Sequence, residues 1–165
     1  MTTECEHQRA GVCPLEHNEL LERTVWAKNL PGPVVSLLSF FVEQVVVEKG
    51  EYVFREGDHE RFLCFLITGH IAIFKENSNH ESCELIAVRK GRSFGEMSLF
   101  GGVGRSATAL AKEQSVLLVL SDDAFNELKR EHPKVAIEVM NCVIGDLSHL
   151  VRRTTGHLVD YLTPE

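Results

Sequence analysis

A mainly β domain with flanking helices is the fold class this sequence predicts, and three observations predict it. Short strand-like runs recur between Glu43 and Ser121 at roughly ten-residue spacing. Glycines at 50, 57, 69 and 91 punctuate them, where turns need a backbone free of Cβ constraints. Helical patterns lie only before and after this stretch. Such spacing implies a barrel or sandwich and excludes an alternating βαβ sheet.

In chain order, residues 1–33 read as a polar N-terminal extension. It carries a short helix around Asn18 to Lys28, in which Leu20, Leu21, Thr24 and Val25 share one face. Pro31-Gly32-Pro33 breaks the chain, and a short apolar helix follows from Val34 to Phe41. The predicted strands are 44–47, 52–54, 62–67, 71–74, 85–88, 108–111 and 116–120. Ser121-Asp122-Asp123 has the chemistry of a helix cap with acidic residues over the first turn, so a helix is expected to run to about Glu131. Pro133 suits the first position of a longer helix ending near Gly156. The expected organisation is a 43–121 β-unit and 122–155 C-terminal helices within a domain over 34–155, then a 156–165 tail.

Composition narrows the function classes. The chain has 165 residues, room for one sizeable core, and 44% hydrophobic and 25% charged residues. A net charge of −7 argues against nucleic acid and anionic membrane surfaces as partners. The longest apolar stretch, Val34 to Val47, is interrupted by Ser36, Ser39, Glu43 and Gln44, and the first residues lack a signal-peptide pattern. The five cysteines, an odd number, are expected to be reduced thiols in a cytoplasmic protein.

The segment Ser93 to Thr108 carries the chemistry. Glu96 to Phe100 reads as a turn or two of helix with Gly95 just before it, so its exposed N–H groups offer an anion site. Glycines 101, 102 and 104 let the chain fold back towards Arg105, whose guanidinium can grip a phosphate in bidentate fashion. Glu96 would repel that phosphate unless its carboxylate accepts from a sugar hydroxyl. Together these residues describe a pocket for a sugar phosphate.

Phe94-Gly95-Glu96-Met97-Ser98-Leu99 and Arg105-Ser106-Ala107-Thr108 resemble the phosphate-binding cassette of the cyclic-nucleotide-binding family. That family includes the catabolite activator protein, the regulatory subunits of protein kinase A and cyclic-nucleotide-gated channels. The upstream run Gly50 to Asp58, with Gly69 following Gly57, resembles the family pattern too, and the likeness covers about residues 34–155. It implies a jelly-roll-like β-roll (a double-stranded β-helix) with N-terminal helices and two C-terminal helices. It implies a non-catalytic sensor of cyclic AMP with no cofactor. By resemblance, Arg105 binds the cyclic phosphate, with Ser106 and Ala107 completing its contacts. Glu96 accepts the ribose 2′-hydroxyl, and Phe94, Gly95, Met97 and Ser98 line the same corner. The family's usual proline before the arginine is Gly104 here, which is expected to loosen the 101–104 loop.

The same residues admit rival readings. Glu96 and Arg105 can pair with each other in a ligand-free interaction scaffold. Cyclic GMP is the alternative ligand, because Ser106 stands where cyclic-GMP-selective kinase sites carry a threonine. Cys5, His7, Cys13 and His17 fit no common zinc spacing, His70 and His80 form no H-x-H pair, and no nucleophile–base arrangement is visible, so no metal and no catalytic residue is expected. On the last helix Ala136, Met140, Val143, Leu147 and Leu150 are spaced 4, 3, 4, 3. That spacing is a coiled-coil seam and predicts a homodimer through the 133–155 helix. With the chain ending shortly after it, the output is expected to be that dimer or an unidentified effector protein.

Overall fold

The computed structural model describes residues 14–79 and 81–162. Eight strands form two four-stranded antiparallel sheets: β1 (Glu43–Val47), β8 (Ser115–Ser121), β3 (Phe62–Thr68) and β6 (Ser93–Phe94), in that order, and β2 (Tyr52–Phe54), β7 (Thr108–Ala111), β4 (Ile71–Glu76) and β5 (Ser82–Val88). The chain crosses between sheets repeatedly, β1 to β2, then β3 to β4, then β7 to β8, which is the expected β-roll.

The two sheets differ in what covers them. β3 buries both faces: Leu63, Phe65 and Ile67 face the helices, while Cys64 and Leu66 face the interior of the roll. β8 does the same with Leu118 and Leu120 outward and Leu117 inward. A strand buried on both sides needs no polar alternation, which is why Phe62–Thr68 reads as an unbroken apolar run. β4 and β5 fade into exposed residues at their far ends.

The helices lie on the outer face of the first sheet. They are α1 (Pro14–Glu22), α2 (Gly32–Leu38), α4 (Asp122–Glu131) and α5 (Pro133–Leu162), with the short α3 (Glu96–Gly101) inside the roll connection. Trp26 packs edge-on against Phe65 at 4.8 Å, fixing the N-terminal segment to β3. Ser121 caps α4 as its sequence suggested, its hydroxyl accepting from the Ala124 N–H at 3.2 Å.

Four expectations need correction. α1 occupies Pro14–Glu22 and a separate 3₁₀ turn spans Trp26–Lys28, so the expected patch is split in two; between them the chain turns to bond Val25 N–H to the Gly91 carbonyl. The two-residue strand β6 was not foreseen, being too short for any periodicity. α5 does not end near Gly156 but continues to Leu162, so the expected tail is mostly helix. The expected dimer seam is the wrong stripe. Ala136 and Val143 are buried against this chain's own roll, with Met140 and Leu147 packed beside them. The apolar residues left exposed on α5 include Ile137, Ile144, Val151 and Leu158, at seven-residue steps. Residues 151–159 are exposed on every side. Among the described residues no helix is long and apolar enough to cross a membrane.

Candidate functional site

β6 delivers the chain to Gly95, whose φ of +82° turns it into α3. That left-handed conformation is one a side chain resists, and a Cβ there would also come within 2.9 Å of Arg105 Nη1 and 3.3 Å of the Phe62 carbonyl. Glycine at 95 is thus what lets the guanidinium in.

Arg105 is 3% exposed. Its guanidinium carbon lies 4.0 Å from the centroid of Phe54 and 3.9 Å from that of Phe62, two rings inclined at 67° that form a corner for the cation. Nη1 donates to the Phe62 carbonyl at 3.0 Å and to the Gly95 carbonyl at 2.8 Å. Nε and Nη2 are buried with no partner among the described residues. A guanidinium has five N–H donors; Nη1 makes both observed bonds, and of the three N–H groups left on Nε and Nη2, the Nε–H and one Nη2–H point out together from the Nε–Nη2 edge. Burial pulls the Arg105 pKa down, opposed by Asp58, Glu60 and Glu96 among its neighbours. An arginine nevertheless stays charged at neutral pH.

The main chain around Arg105 is fixed on both sides. Its N–H donates to the Asp58 carbonyl at 2.8 Å, and its carbonyl accepts from Gly57 N–H at 2.9 Å. A Cβ on Gly104 would sit 3.1 Å from the Gly57 carbonyl, so this glycine permits a close approach. The looseness expected of the 101–104 loop therefore does not reach Gly104, which packs against the Gly57–Asp58 turn.

Glu96, the first residue of α3, is half-buried. Burial raises its carboxyl pKa, Asp146 raises it further, and its own N–H and Arg105 oppose the rise. The direct pairing with Arg105 that the rival scaffold reading requires does not form; among the described residues the guanidinium bonds to the Phe62 and Gly95 carbonyls. Phe94 is buried beside Phe54 at 6.1 Å. Ser98 is buried and its hydroxyl donates to the Gly95 carbonyl at 3.3 Å. Ala107 is buried, Met97 and Ser106 are exposed, and the Ser106 hydroxyl contacts the Met97 sulfur at 3.4 Å. Gly95, Glu96 and Arg105 come together as expected; Phe94 supports the corner from behind.

Three contributors were missed from sequence. Phe54 and Phe62 read only as members of the strands 52–54 and 62–67. Asp146 of α5 accepts from Trp26 Nε1 at 2.8 Å and from the Ser93 hydroxyl at 3.0 Å, with Arg92 at 3.8 Å. It ties the long helix to the residue just before Phe94. A signal was present, because Asp146 is the sole carboxylate between Glu138 and the end of the apolar stripe at Val151.

Cys5, His7, Cys13 and His80 lie outside the described residues. His17 is buried, with Nδ1 3.3 Å from the Ser39 carbonyl. Among the described residues no cluster could hold a metal ion. Burial pushes the Cys64 thiol up to about 12, far from the reactive thiolate range.

The profile of the cyclic nucleotide-binding domain matches residues 44–132. Mouse (Mus musculus) cGMP-dependent protein kinase 2 is 30% identical over 68% of this chain and 15% of its own length. The cyclic AMP receptor protein of Thermus thermophilus is 32% identical over 64% of this chain and 49% of its own. This chain therefore spans a sixth to a half of these relatives. Among solved structures, a cyclic nucleotide-binding domain from Methylobacillus flagellatus KT aligns with a TM-score of 0.83, covering 96% of this chain and 90% of that one at 23% identity. The Thermus thermophilus catabolite activator protein gives 0.68 over 83% of this chain and 62% of its own at 26% identity. A roll of this topology, a glycine-turned cassette and a profile match over more than half its length place the chain in the cyclic nucleotide-binding domain family.

Proposed function

We propose that the chain is a non-catalytic sensor that binds cyclic AMP at Arg105 and Glu96 and passes occupancy on through α5. The unpartnered Nε–Nη2 edge of Arg105 carries this reading. A buried donor left unsatisfied costs about 1–3 kcal/mol, more when charged, and a phosphate with two oxygens side by side repays it with two charge-assisted bonds. The half-buried Glu96 carboxylate is then free for the ribose 2′-hydroxyl, with Ser106 and Ala107 beside the phosphate.

Cyclic AMP is favoured because serine follows the arginine here and because a cyclic AMP receptor protein is among the relatives. Cyclic GMP is the second reading, supported by the likeness to a cGMP-dependent kinase and by the exposed Ser106 hydroxyl. A thermal-shift screen of cyclic AMP, cyclic GMP, 5′-AMP and ATP separates them. The expected result is a higher midpoint with cyclic AMP, about 2.7 kcal/mol of stabilisation at a hundredfold excess over Kd. No shift with any cyclic nucleotide would leave the ligand-free scaffold as the answer.

For the output, the helix offers two surfaces of different kinds. Asp146 links α5 to Ser93 and Trp26, which supports its coupling to the cassette. Ile137, Ile144, Val151 and Leu158 stand exposed at a heptad repeat, with Met140 and Leu147 at the intervening steps. An exposed apolar residue at every seventh position, mostly β-branched, suits pairing with a like helix in a coiled coil, so the proposed occupant is a second copy of this chain.

A further inference from the structure

Arg105 is not the only residue on which the grip of the anion depends. Phe62 holds the guanidinium twice, with its ring 3.9 Å from the central carbon and its main-chain carbonyl 3.0 Å from Nη1. The ring stands at 67° to that of Phe54, so the two close one corner around the cation. The Phe62 and Gly95 carbonyls account for both Nη1 protons, and that leaves the Nε–Nη2 edge as the part of the fork still able to receive an anion. Phe62 is itself anchored: it opens β3, in register with Ser121 of β8, and the preceding Arg61 carbonyl accepts from Asp122 N–H at 2.9 Å.

We infer that Phe62 is a positioning residue for the phosphate site, its ring and carbonyl together setting the rotation of the Arg105 guanidinium so that the Nε–Nη2 edge is presented already oriented. The inference rests on the sensor reading given above. A planar fork exchanges two parallel hydrogen bonds only in one orientation, and an arginine free to rotate would lose several rotamers on binding. A ring face also lowers the penalty of holding a cation away from water before the anion arrives. Phe62 does not touch the ligand in this scheme; it acts through Arg105.

Isothermal titration with cyclic AMP tests this on wild type, Phe62→Leu, Phe62→Tyr, Arg105→Lys and the Phe62→Leu/Arg105→Lys double variant. Leucine keeps the main-chain carbonyl and an apolar side chain but removes the ring, so affinity should fall about three- to thirtyfold. Tyrosine restores a ring and should bind within about twofold of wild type. Lysine has no fork to orient, so adding Phe62→Leu to Arg105→Lys should weaken binding by no more than about twofold further. The Arg105 Nε–H resonance of the ligand-free protein gives a reading that bulk stability does not move: it should lose ring-current shielding in Phe62→Leu and keep it in Phe62→Tyr. Equal binding by wild type and Phe62→Leu, or the same loss in the arginine and lysine backgrounds, would overturn the role of Phe62 and leave the sensor reading standing. A wild type that binds no cyclic nucleotide overturns the sensor reading instead.

Discussion

Phe65 and Arg105 are both almost completely buried, at 0% and 3% exposure, yet the two sides of the first sheet use burial in opposite ways. Outside it, Phe65 meets Trp26, Leu118 and the helices in an apolar cluster. Inside the roll, Arg105 sits among Phe54 and Phe62 as a buried cation whose Nε and Nη2 have no partner. The outer side converts filled volume into stability. The inner side keeps a charge incompletely satisfied, and such local violations of good packing chemistry concentrate at functional sites.

The comparison is broken most sharply by truncating its outer member. Phe65→Ala should cost about 3–5 kcal/mol of folding stability, read as a lower urea midpoint with an unchanged slope. If the loss were below 1 kcal/mol, the outer cluster would not be the stabilising half of the molecule.

Arg105→Ala should show the reverse profile. Two charge-assisted bonds worth about 1.5–3 kcal/mol each make the affinity loss for cyclic AMP at least about a hundredfold. Arg105→Met should leave folding stability equal or higher, because replacing a buried charge by an apolar side chain of similar length is often stabilising. Titration and denaturation of the same variants decide it; a strongly destabilised Arg105→Met would make the arginine a structural element.

Glu96 sharpens the contrast at smaller amplitude. Burial and Asp146 raise its carboxyl pKa in the folded protein. Between the ordinary carboxylate range and that raised value, the native state retains a proton that the unfolded chain has released. Its contribution to stability is full below the ordinary carboxylate range and is lost as pH rises through the raised value. Glu96→Gln should thus be more stable than wild type at neutral pH, with the gain vanishing below about pH 4. The same variant should lose some affinity for cyclic AMP and almost none for 2′-deoxy cyclic AMP. Equal losses with both would detach Glu96 from the sugar.

The smallest effect on the fold is expected at Val151, which is 62% exposed. Val151→Glu should change folding stability by no more than about 0.5 kcal/mol. It should nevertheless convert a dimer into a folded monomer by light scattering, since it places like charges across the seam. A wild type that is monomeric at high micromolar concentration refutes the pairing outright.

The strands were legible because short apolar runs at regular spacing and glycine punctuation survive in this sequence, and the cassette was legible because its chemistry is compressed into Phe94 to Thr108. What escaped depended on distance. The rotation of Arg105 is set by Phe62, 43 residues earlier, and no local pattern marks that ring. The stripe on α5 was misread because both candidate seams are apolar at heptad spacing, and only the docking of Ala136 and Val143 onto the roll decides which one is spent. Gly156 failed to stop α5 because a glycine ends a helix by adopting the left-handed conformation, and Gly156 is not among the positive-φ glycines.

The loop at residues 102–103 is exposed, and it joins two fixed points: α3, which ends at Gly101, and Arg105, whose N–H and carbonyl are both bound to the Gly57–Asp58 turn. Side chains at its tip touch solvent, and the main chain at its end is clamped beside the phosphate grip. Exposed tips of this kind tolerate inserted domains. The molecule therefore offers a natural splice point for an optical reporter, whose two attachment ends would lie within one connection of the groups that meet the ligand.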